Sequence, residues 1–122
     1  MALSDVHGIL GNAFLYFVLM IAAWALLHVL RQQEIGGSFW GGIVIGEGLA
    51  LVQAAVGGIM VAQGLLPPRT IHFLYGGLTL LTWPAVFTFT RGGTGRREAL
   101  YWALASAFLF GITLRAISTG RP

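Results

Sequence analysis

The sequence predicts an all-α integral membrane protein, an up-down bundle of four transmembrane helices. Three observations carry that reading. Hydrophobic side chains make up 57% of the 122 residues and charged ones only 9%, against about 25% charged in an average soluble chain. Mean hydropathy is +0.81. Four apolar runs each reach the ~20 residues that a helix rising about 1.5 Å per residue needs to cross the hydrocarbon core. The length suits one compact membrane domain, residues 1–122, with no separate extramembrane domain.

The first run covers residues 8–30. Ala23-Trp24-Ala25 faintly resembles a signal-peptide cleavage site, but the segment before it carries Asp5 and no base, so it reads as a retained helix. RQQEIGGS follows as a connector, and the second run spans 39–66. Gly42 with Gly46, then Ala54 with Gly58, repeat the small-xxx-small spacing that lets helices approach closely where lipid removes the hydrophobic drive between them. Pro67-Pro68-Arg69 ends it. The third run, 70–90, contains Pro84, which deletes a backbone donor and bends the helix. RGGTGRR leads to the fourth, 97–117. All four are apolar on nearly every face, as expected of helices that touch lipid as well as protein. Short connectors make sequential helices antiparallel neighbours.

Charge settles several exclusions. The seven basic residues are all arginine, at positions 31, 69, 91, 96, 97, 115 and 121, scattered among apolar segments with no basic stripe, which argues against a nucleic-acid partner. Without cysteine there are no disulfides, thiolate metal sites or covalent c-type heme attachment. Arg31, Arg91, Arg96 and Arg97 fall in the two connectors on one side, against Arg69, Arg115 and Arg121 on the other. The excess predicts a multi-pass protein of the cell (inner) membrane with both termini outside. Phe39, Trp40, Tyr101 and Trp102 are then expected at the cytoplasmic interface.

Ionisable residues inside apolar segments are costly and are functional candidates by default. His7 opens the first helix and His72 the third; these helices run the same way, so both imidazoles lie at the outer rim. Two imidazoles facing each other at one depth across a bundle can ligate a b-type heme iron. Each is followed four residues later by glycine, Gly11 and Gly76, leaving room on the same helix face for a flat macrocycle. Arg69, three residues before His72, and Arg115, near the outer end of the fourth helix, are candidate propionate partners. Glu47, about two turns into the second helix, is expected at the level of His28, and pairing with that imidazole is the simplest way to lower the cost of a buried acid. A proton relay or a quinone headgroup site is the functional alternative for this pair.

The run LVQAAVGGIMVAQGLLPPRTIHFLYGGLTLL resembles part of one half of a heme A synthase. There, a helix containing Gln-xxx-Gly-Gly ends in Gly-Leu-Pro-Pro, and the next helix opens with a heme-ligating histidine. Gln53, Gly57, Gly58, Gly64, Leu65, Pro67, Pro68 and His72 follow that order, and His7 takes the place of the partner ligand. The resemblance covers roughly 46–81, with a looser match at the amino terminus. The family enzyme is typically a duplicated eight-helix protein; this chain is half that length, carries Asp5 rather than a glutamate just before the first histidine, and would restore eight helices as a homodimer.

The leading expectation is therefore a heme b-binding four-helix membrane protein with an electron-transfer or heme A synthase-like oxidoreductase role at the outer face. Two other classes fit the composition. One is a non-catalytic accessory subunit of a larger respiratory or photosynthetic complex; the other is a small proton-coupled exporter using Glu47.

Overall fold

The computed structural model describes all 122 residues. Four helices, α1 (Leu3–Leu30), α2 (Gly37–Ala62), α3 (Ile71–Thr90) and α4 (Arg96–Thr119), form an up-down bundle. Each is long and apolar enough to cross a membrane. Each helix packs on its two chain-order neighbours, with α4 closing back onto α1; the diagonal pairs do not meet through their backbones. The α1–α4 seam is the tightest and the α2–α3 seam the loosest.

Helix ends depart from the expected boundaries for local reasons. α1 begins five residues early, at Leu3, where the Asp5 carboxylate accepts the Ala2 N–H at 3.2 Å and caps the first turn. α2 stops at Ala62 rather than 66. Gly64 adopts φ +81°, and the N–H groups of Gly64 and Leu65 turn back to Val61 and Met60 carbonyls, a glycine-dependent C-terminal motif. α3 runs unbroken through Pro84 to Thr90.

The GxxxG of α2 faces into the bundle. A side chain at Gly42 would meet Ile21 and Trp24, and one at Gly46 would collide with Trp83 and Phe17. The pair thus creates space for large side chains of this same chain. At mid-bundle Trp83 is buried, packs on Phe14, and donates its indole N–H to the Ser106 hydroxyl at 3.1 Å. Trp24, Phe39, Trp40 and Trp102 interlock edge to face at the end carrying the α1–α2 and α3–α4 connectors. Phe39 and Trp102 are fully buried there, forming a core plug rather than the interfacial anchors expected. Trp40 and Tyr101 are half-buried, Tyr101 packing on Phe89. Two polar links close this end: the Ile35 N–H to the Thr94 carbonyl at 2.9 Å, and the Arg96 Nε–H to the Val29 carbonyl at 3.1 Å.

Candidate functional site

At the opposite end, α1 and α3 stand diagonally across the bundle, and their histidines bridge the gap. The His7 and His72 rings lie 6.1 Å apart, centroid to centroid, with planes at 71°. Both helices start at this end, so the shared depth follows directly from up-down topology.

The α4 terminus orients His72. Its Nδ1 lies 2.7 Å from the Ala116 carbonyl and 3.3 Å from the Thr119 hydroxyl. A carbonyl only accepts, so Nδ1 carries the proton and donates, leaving Nε2 with a free lone pair. A backbone carbonyl that fixes the tautomer in this way is the usual support of a metal-ligating histidine. Gly120 lets α4 end against the same ring, since a Cβ there would lie 2.8 Å from its Cε1.

The α2 helix supports His7. Gln53 donates its amide N–H to the His7 backbone carbonyl at 2.7 Å, and Gly57 leaves its backbone against the imidazole, where a Cβ would sit 3.1 Å from Cε1. Two polar atoms stay unpartnered in this corner, His7 Nδ1 and Gln53 Oε1. Such atoms are not confined to this corner, since Glu47 Oε1 and Trp102 Nε1 are likewise buried without partners.

The arrangement can be tested against the groups it might hold. Two imidazoles sharing one ion, each with a metal–nitrogen bond of about 2 Å, place their centroids on the order of 6 Å apart. The observed centroid separation, 6.1 Å, is of that order. A bare zinc ion asks for four ligands, and no cluster of three or more His, Cys, Asp or Glu side chains exists in the molecule. His7 and His72 would be enough for the iron of a porphyrin, which brings its other ligands with it. The donor set therefore fits heme better than a free ion.

The other site residues fall into place unevenly. Beside Gly76 there is open space, as there is at neighbouring Gly77. Gly11 differs from expectation: it is buried, and the space beside it is taken by Gln53, whose Nε2 would lie 3.2 Å from a Cβ. The glycine against His7 is Gly57, from another helix. Arg69 is exposed in the α2–α3 connector, at the end where His72 opens α3. The Arg115 guanidinium stacks over Tyr75 at 5.9 Å, and Arg115 immediately precedes Ala116, whose carbonyl holds His72. Asp5 is exposed and bonded to its own helix start.

The expected Glu47–His28 pair does not form. His28 packs against Trp24 and Phe39 at ring separations of 6.2 and 5.6 Å. Glu47 Oε1 is buried without a partner, and the side chain lines a crevice with α3 instead. The cause is azimuth: Ile43, Gly46 and Ala50 occupy the inward stripe of α2, which turns Glu47 toward the α2–α3 seam. Sequence reading also missed the α4 partners of His72. The Ala116 carbonyl has no side-chain signature at all, while Thr119, a buried hydroxyl at a helix end, carried the only legible hint.

No protein-family model, curated protein or solved structure matches the chain.

Proposed function

We propose that this is a membrane-embedded redox protein that holds one b-type heme between His7 and His72, at the bundle end bearing both termini. The single observation that carries the reading is the facing histidine pair, 6.1 Å apart, with His72 Nδ1 committed to Ala116 and its other nitrogen free. The order of Gln53, Gly57, Gly58, Pro67, Pro68 and His72 supports it through the resemblance to heme A synthases. When bound, the heme supplies one-electron chemistry at the iron.

This chain's residues supply the rest. His72 is held in one tautomer by α4, and His7 is tethered through its backbone by Gln53. Gly76 and Gly77 leave open space on the face of α3 beside His72. Arg69 and Arg115 offer guanidinium groups to carboxylates at the polar rim. Electron transfer suits this site better than heme-methyl oxidation, because Asp5 turns away to cap α1 and no acid stands beside either histidine. The arginine excess at the connector end supports placing this site at the outer face of the cell membrane.

The test is an absorption spectrum of the detergent-purified chain, air-oxidised and then dithionite-reduced, with heme stoichiometry. A split α/β band on reduction with one heme per chain is expected. One heme per two chains supports the homodimer. A protein that stays colourless after heme is supplied overturns the reading and leaves an accessory subunit of a larger membrane complex as the better account.

A further inference from the structure

The outward side of the α1–α4 seam carries a groove that belongs to neither the histidine site nor the aromatic plug. Its eight lining side chains are all leucine or alanine and enclose about 400 Å³. Ala22 and Ala103 are its least exposed members, whereas Leu19 and Leu26 of α1 are 47% exposed and Leu104 of α4 is 60% exposed. The groove therefore opens away from the bundle interior, and Leu19 to Leu26 give it a length of about 10 Å by helical rise.

We propose that this groove holds an acyl chain of one anionic phospholipid whose phosphate sits on Arg96. The lining presents no accessible polar surface, so hydrocarbon is what it can take without a desolvation cost. The head of the same seam is basic. The Arg96 Nε–H reaches across from α4 to the Val29 carbonyl of α1 at 3.1 Å. Val29 is three residues beyond Leu26 and Arg96 four before Leu100, so the guanidinium is pinned about one helical turn past the groove's end, toward the connectors. Its terminal amino groups remain for a phosphodiester.

Charge at this end selects an anion. Arg31, Arg91, Arg96 and Arg97 are all exposed, and Arg97, three residues before Leu100 and seven before Leu104, shares the groove's face of α4. Of the acids here, Glu98 folds over its own connector, where a Cβ on Gly95 would lie 3.2 Å from its Oε2; exposed Glu34 is left against the four arginines. Basic side chains at the rim draw anionic headgroups, each adding to the attraction, and a guanidinium suits a phosphate's paired oxygens better than an ammonium does. A leaflet lipid supplies both halves of the fit, a chain for the groove and a phosphate for its head.

The experiment uses the full chain in dodecyl maltoside, which has neither phosphate nor charge. Bound lipid is counted by native mass spectrometry during titration with dioleoyl phosphatidylglycerol or dioleoyl phosphatidylcholine. One phosphatidylglycerol per chain is expected to bind at least about ten-fold more tightly than phosphatidylcholine, and R96Q should lose about five-fold of that affinity. R121Q, which removes a charge at the other end, should change nothing. A23F and A107F place bulk in the groove from exposed positions while keeping every arginine, and should each lower phosphatidylglycerol binding about ten-fold. Equal affinity for the two lipids, equal loss in R96Q and R121Q, or unchanged binding in both groove variants overturns the proposal. So does a chain that runs as a dimer which A107F dissociates, for the groove is then a subunit interface. Heme plays no part in these readouts, so the failure of this proposal and that of the heme reading are separable.

Discussion

The two ends of this bundle use opposite means to hold the same four helices. At the connector end, Phe39 and Trp102 are fully buried among Trp24 and Trp40, and backbone links run from Ile35 to Thr94. At the terminal end, contact rests on single hydrogen bonds from Gln53 and His72 and on glycines that admit imidazole edges. Dispersion packing dominates at one end, even at the expense of a buried Trp102 Nε1 without a partner; at the other, contacts are fewer and more polar, and His7 Nδ1 and Gln53 Oε1 lack partners. A four-helix unit of this size can pack its two ends by different means, aromatic rings at one and histidines at the other.

Breaking the plug should be the costliest change. Trp102→Ala empties the largest volume at the connector end and is expected to destabilise by about 3–5 kcal/mol, read as the shift in SDS-induced unfolding of mixed micelles. Heme binding, measured at low SDS, should persist. If heme is lost before the helices unfold, the two ends are not independent.

Overfilling the middle should cost less. Gly46→Val drives a branched side chain into Trp83 and Phe17, with an expected loss of about 1–3 kcal/mol. Gly58→Val is the matched control: nothing lies within 4 Å of that position, so stability should barely move. If Gly58→Val instead dissociated a dimer, the outward face of α2 would be a subunit interface.

At the terminal end the ranking reverses, with a large spectral change for little stability. His72→Ala removes the ring and the Ala116 bond, costing about 1 kcal/mol, yet should convert a six-coordinate low-spin heme to a high-spin or empty site. Survival of the low-spin spectrum in both His72→Ala and His7→Ala would dissolve the site. Gln53→Leu sharpens the contrast, because it leaves the ligand but frees the His7 carbonyl. Its expected signature is a shifted midpoint potential with the low-spin spectrum retained.

Why was one end easier to foresee than the other? The helices were legible because run length and hydropathy are summed over many residues and tolerate local error. The depth of His7 and His72 followed from topology alone. The rotation of each helix about its axis did not, because sides that are apolar all round carry almost no periodic signal. That single missing angle explains the errors at Gly11, where Gln53 fills the space, and at Glu47, which turns to α3. The Schellman-type stop at Gly64 was written in the sequence but outweighed by the apolar Leu65 and Leu66 that follow it.

The smallest expected effect tests that angle directly. The sequence sets His28 and Glu47 at one depth; the structure gives His28 two aromatic neighbours and Glu47 a crevice on the other seam. His28→Leu should cost about 0.5–1.5 kcal/mol through lost aromatic contact, and Glu47→Gln little. Combined, the two should add to within about 0.3–0.5 kcal/mol, as unconnected sites do. A larger coupling in SDS unfolding would mean that imidazole and carboxyl meet in the membrane after all. It would rotate α2 toward α1 and close the α2–α3 crevice that Glu47 now lines.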